Sequence, residues 1–145
     1  MDWKREAIDK LKCYEAKKTS IDRAGEEIRR LEDDTTRIRS ATTDSTPVSG
    51  GTSTREDMLV NNITRCEELR LARKDAIRWV KLMEGALGVL DEEERLVLDR
   101  FYIHRAKGNV ERLCRELNVE IATTYRRRDA ALRHFTLALY GVMET

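Results

Sequence analysis

The chain has little of what compact enzymes and secreted domains are built from. Of its 145 residues one is proline, Pro47, two are phenylalanine and two tryptophan. With so few helix breakers, helices can run long, and with so few large apolar side chains they bury only narrow seams. The three cysteines, Cys13, Cys66 and Cys114, form no Cys-x-x-Cys pair and leave an odd count. That argues against a disulfide framework or a zinc site and makes them small apolar residues near the seams, in a protein of the reducing cytoplasm. No apolar run reaches the roughly 20 residues of a membrane span, and the N-terminus carries no signal-type apolar core. A phosphate-cradling glycine loop, a nucleophile elbow, a zinc-protease helix and a deaminase signature are also missing, and His104 and His134 lack metal-ligand spacing. No catalysis, cofactor, metal or membrane contact is expected.

What the chain does have is charge, at 38% of residues, with a net charge of only +1. The distribution matters more than the total. Residues 91–94 are wholly acidic, while 121–135 sets Arg126, Arg127, Arg128 and Arg133 against one acid, Asp129. Most other charges read as solvated i,i+3 and i,i+4 helix pairs, such as Glu15 with Lys18 and Glu26 with Arg30.

The organisation is all-α. Residues 2–40 read as one helix with an apolar or small seam at Ile21, Ala24, Ile28, Leu31, Thr35 and Ile38, its first turns (Trp3, Ala7, Ile8, Leu11, Tyr14) being less regular. Residues 41–54, rich in Ser, Thr and Gly, form a linker, and Thr54 with Asp57 resembles a capping box opening the next helix. That helix, 55–89, carries two heptad series: Leu59, Cys66, Arg73, Val80, Leu87 and Asn62, Leu69, Ala76, Met83, Leu90. Ile63, Ile77 and Trp79 widen its stripe. Two seams of similar length predict a long, coiled-coil-like antiparallel hairpin over 1–90, which could also support self-association.

The remaining residues, 91–145, read as a helix-turn-helix domain. Asp91 and Glu94 cap a helix over 92–105, Lys107-Gly108-Asn109 breaks it with Asn109 as the next cap, and helices over 110–117 and 121–140 follow. Cys114 is the small residue that lets two helices approach, and Asn118 suits the positive φ of the turn. Leu113, Leu117 and Val119 fill the angle, Thr124 plugs it from the second helix, and Ala131, Leu132 and Phe135 return that helix to the core. The second helix, about 121–135, then presents Ile121, Ala122, Tyr125, Arg126 and Asp129 outward, with Arg127, Arg128 and Arg133 flanking. The candidate DNA-binding residues are Ile121, Ala122, Thr123, Tyr125, Arg126, Arg127 and Arg128. In such a motif this is the surface that enters the major groove of double-stranded DNA. Two plainer readings stand beside this one. Arg126–Arg128 can be a solvated basic face, with Arg127 paired to an acid such as Glu116, and Tyr125 can pack on the scaffold.

Residues 91–135, DEEERLVLDRFYIHRAKGNVERLCRELNVEIATTYRRRDAALRHF, resemble region 4 of bacterial sigma factors. The acidic opening, VLDRFY, the REL-N-V turn, TTYRRR and the closing AL carry the resemblance. With the preceding hairpin and linker, the chain is similar to phage-encoded sigma-like regulators of the ArpU/RinA late-transcription type. The resemblance implies promoter or operator binding in phage or prophage gene control and contact with bacterial RNA polymerase. It places base reading at Ile121, Ala122, Tyr125 and Arg126, with Arg128 beside them. Arg127 departs from the pattern, which has an apolar residue there, and Ile121-Ala122 replace polar readers. Two other classes fit the same organisation: a small-terminase-like DNA-packaging adaptor, and a protein that sequesters polymerase or a sigma factor without touching DNA.

Overall fold

The computed structural model describes the backbone of residues 1–44 and 51–142, with side chains over 1–41 and 54–142. Its elements are α1 (Trp3–Asp44), α2 (Gly51–Val89), α3 (Glu92–Leu98), a π-helical segment (Asp99–Ile103), α4 (Asn109–Leu117) and α5 (Ile121–Tyr140). The protein is all-α: among the described residues there is no strand, and no helix is long and apolar enough to cross a membrane.

Both long helices exceed their predicted bounds. Helix occupies 41–44 and 51–54, where a linker was expected, and the six central residues of that linker lie outside the described ones. Thr54 lies inside α2, which is already helical at Gly51, rather than at the cap position. Serine and threonine are weaker helix formers than alanine, but a helix that already propagates can continue through them.

The chain divides into two compact units: Met1–Lys17 together with Trp79–Thr145, and Lys18–Arg78. In the second unit, segments of α1 and α2 lie antiparallel. The Arg73 Nε donates to the Ile21 carbonyl at 3.1 Å, and the Cys66 thiol lies 3.9 Å from the Ile28 carbonyl. Ile28, Leu31, Cys66 and Ala76 are buried along this seam. Arg70 pairs with Glu32 and Arg65 with Glu27 across its edge. All ten positions of the two heptad series are buried or half-buried, but Ile63 is exposed and does not widen the stripe. Arg30 pairs with Glu27 and Asp34 rather than with Glu26. That contact holds the Glu27 carboxyl below its usual range.

The first unit has the denser core. Its part of α1 contributes Ala7, Leu11 and Tyr14, spaced i, i+4, i+7, so the turns that look least regular in sequence are among the best buried. Cys13 departs from expectation: it is exposed, one position off that stripe. Val80, Met83, Ala86 and Leu90 of α2 join Val97 and Leu98 of α3, Leu113 of α4 and Ala131, Leu132 and Phe135 of α5. Trp3 packs on Tyr140 with ring centroids 4.8 Å apart. The Tyr14 hydroxyl donates to Glu84 at 3.2 Å, and burial with that carboxylate pushes the phenol up to about 12.

Asp91 and Glu94 form a reciprocal capping box at the start of α3, with bonds of 2.8 and 3.2 Å. The helix predicted to reach 105 instead passes at Asp99 into a π-helical turn, closed by His104 N–H to the Asp99 carbonyl at 2.7 Å. Asn109 is not the cap of the next helix. Gly108 holds that position at φ 80°, and Asn109 is the first helical residue, buried, its amide donating to the carbonyls of Arg100 (3.2 Å) and His104 (2.8 Å). A residue with a side chain would be strained at Gly108, so glycine takes the left-handed position and asparagine ties off the freed carbonyls.

Candidate nucleic-acid interface

Two helices and one turn build the candidate surface. α4 ends at Asn118, the one non-glycine residue with positive φ among those described, at φ 55° and ψ 49°. Asparagine pays less for this conformation than other side-chain-bearing residues. The turn is closed by Val119 N–H to the Cys114 carbonyl at 3.1 Å, and α5 begins at Ile121. Thr124 is fully buried between the two helices, its hydroxyl 3.2 Å from the Cys114 sulfur and 3.3 Å from the Glu120 carbonyl. Leu113 is buried below it, and Leu117 and Val119 are half-buried.

α5 therefore has an inner and an outer face. Thr124, Ala131 and Phe135 lie inward; Ile121, Ala122, Tyr125, Arg126 and Asp129 lie outward. The spacing i, i+1, i+4, i+5, i+8 is one side of a helix. Ile121 is 52% exposed, high for a side chain of its kind, and Thr123 is half-buried.

The three consecutive arginines have three different situations. Arg126 is exposed and has no acidic partner among the described residues. Arg127 is bound to Glu93 of α3, not to Glu116, which instead lies 3.6 Å from Arg100. Arg128 pairs with Asp129 at 3.0 Å and lies over the rings of Phe101 (5.3 Å) and Tyr125 (5.0 Å). Tyr125 itself leans on Phe101, centroids 5.8 Å apart, with 39% of its surface exposed. Its ring is thus fixed by the scaffold while part of it faces outward.

The acidic opening of α3 does more than cap its own helix. Glu93 holds Arg127, and Glu94 holds His134 at 2.9 Å, so successive acids of α3 grip positions seven apart on α5. Composition signals the acids but not their partners; the i, i+7 spacing of Arg127 and His134 on one helical side is the signal that could have found them. His104 is likewise held, by Asp99 at 2.6 Å and Glu15 at 3.3 Å. Among the described residues no group of three His, Cys, Asp or Glu side chains is placed to hold a metal ion.

The family model described as "Protein of unknown function (DUF1492)" matches residues 37–136, and the chain belongs to that family. Neither the curated proteins nor the solved structures compared with it gave a match.

Proposed function

We propose that this member of the DUF1492 family is a non-enzymatic DNA-binding transcription regulator that lays the start of α5 in the major groove of double-stranded DNA. One observation carries the reading: a turn fixed by Asn118 presents Ile121, Ala122, Tyr125 and an uncompensated Arg126 on the outer face of a helix anchored by Thr124 and Phe135. Arginine on such a face can grip guanine through two bonds or clamp a phosphate, and Ile121 or Ala122 can meet a thymine methyl. Arg127 is held by Glu93 of α3, which orients the helix, and Arg128 by its neighbour Asp129, so Arg126 is the principal cation for DNA. The likeness of 91–135 to sigma region 4 supports promoter or operator binding in phage or prophage gene control, with bacterial RNA polymerase as a protein partner.

Binding of a duplex measured across salt concentrations tests this. Each phosphate neutralised contributes roughly 0.9 to the slope of log affinity against log salt. Arg126→Ala is expected to lower affinity and reduce that slope by about one. Affinity that ignores both salt and Arg126→Ala removes the reading.

A second reading draws on α2 in the Lys18–Arg78 unit, where Val60 (60%) and Leu71 (66%) are exposed, eleven residues and so about three turns apart. Exposed apolar side chains on this helix support self-association, as in a small-terminase-like packaging adaptor, or capture of polymerase or a sigma factor. A closed ring of subunits in solution would favour the adaptor; a stable complex without DNA affinity would favour the sequestering protein.

A further inference from the structure

In the first unit, the π-helical segment, the start of α4 and the middle of α5 border a half-open cleft of about 690 Å³ that Lys12 of α1 also lines. Five cationic side chains line it against one acid, Glu111, in a chain whose net charge is +1. Two of the five are already committed to carboxylates, as described above. Lys12, Arg105 and Lys107 are exposed and have no acidic partner among the described residues. Uncompensated cations around a concavity focus the field inside it and draw anions.

The wall between these cations is aromatic. Phe101 and Tyr102 both line the cleft, their centroids 6.1 Å apart, and Tyr125 closes it from α5. Burial pushes the Tyr102 phenol up, so that ring stays neutral beside the cations. The π-helical turn puts adjacent residues Arg100, Phe101 and Tyr102 all on the cleft, and such turns recur at functional sites. A volume of this size suits a small molecule. Phosphates would meet the cations, and a planar base would meet the rings, where stacking tolerates any base. A duplex could use the cations, but its bases are stacked inside and cannot reach the wall.

We propose that this cleft binds a free nucleoside polyphosphate, with its phosphates on Lys12, Arg105 and Lys107 and its base against the Phe101–Tyr102 wall. The cleft shares Tyr125 and Arg128 with α5, but its free cations, Lys12, Arg105 and Lys107, are distinct from Arg126, so substitutions at those cations separate nucleotide binding from DNA binding by Arg126.

The test is calorimetric titration of the full chain with GTP, ATP, guanosine, inorganic triphosphate and a short DNA duplex. Saturable one-site binding of a nucleoside triphosphate below about 1 mM is expected. Inorganic triphosphate should bind several-fold more weakly and guanosine weaker still. Arg105→Ala with Lys107→Ala should weaken the nucleotide about tenfold, since charge-assisted contacts carry such a factor, while Arg126→Ala leaves it unchanged. Both substituted residues are exposed, and an unchanged melting curve verifies folding. The proposal is overturned by any of three results: no saturable nucleotide binding, triphosphate binding as tightly as the nucleotide, or a double variant that weakens only the duplex.

Discussion

The two compact units draw on the same pair of long helices, yet they are built to different standards. Among the described residues, every large side chain that is fully buried, from Leu11 and Met83 to Leu113, Thr124 and Phe135, belongs to the unit that also contains α3, α4 and α5. In Lys18–Arg78 the seam is lined by Ile28, Leu31, Cys66 and Ala76, none of them fully buried. Two helices alone leave both edges of their seam to water; further helices close those edges. Surface geometry that must be held within a fraction of an ångström therefore belongs in the first unit, and the candidate interface lies there.

The comparison breaks most visibly through the cores. Phe135→Ala should cost about 3–5 kcal/mol and Ile28→Ala only about 2 kcal/mol, both read from denaturant unfolding. Equal costs would mean that the second unit is as tightly packed as the first.

A smaller effect is expected at the turn. Asn118→Ala places an ordinary side chain in left-handed backbone and should cost about 1–2 kcal/mol, while Asn118→Gly should be close to neutral. If the glycine variant were as unstable as the alanine one, the asparagine would be acting through its side chain and not through its backbone.

Alkaline pH gives a narrower probe of the first unit. Tyr14 is pushed up in the folded protein from an ordinary value of 10.0 to about 12, first by burial and then by Glu84. A raised pKa leaves its contribution whole below the unfolded value, and that contribution is lost as pH rises from 10 to about 12, where the unfolded state ionises first. Tyr14→Phe lacks this ionisation, so stability measured over that window should fall less steeply than in the parent. An identical fall in both would remove Tyr14 as a cause.

The smallest effect belongs to the second unit's edge. Arg70 and Glu32 retain about half their side-chain exposure, 52% and 49%. Arg70→Ala should change stability by less than about 1 kcal/mol, because solvent screens exposed pairs. A larger loss would mean that surface charge does the work the thin core leaves undone.

Features set by neighbouring residues were legible in the sequence. The Asp91–Glu94 capping box, the left-handed Asn118, the buried Thr124 and the bounds of α5 all follow from short-range geometry. The heptad series of α2 were legible because periodicity repeats the same signal over several turns. What escaped depended on distant partners or on competition between local preferences. Arg127 was expected to have an acid beside it, but which acid, Glu93 rather than Glu116, is decided by how α3 and α5 cross. Lys12 joins a cleft built almost wholly from residues 100–128, which no charge count along the chain reveals. The π-helical turn and the exchange of roles between Gly108 and Asn109 arise where tertiary packing overrides helix propensity.

DNA binding is proposed for the outer face at the start of α5. Amide and methyl chemical shifts of the full chain, followed as a duplex is added at low salt, test it most directly. The largest changes are expected at Ile121, Ala122, Tyr125 and Arg126 and should vanish as salt is raised. Changes confined to the Lys18–Arg78 unit, or none at any concentration of duplex, would contradict it.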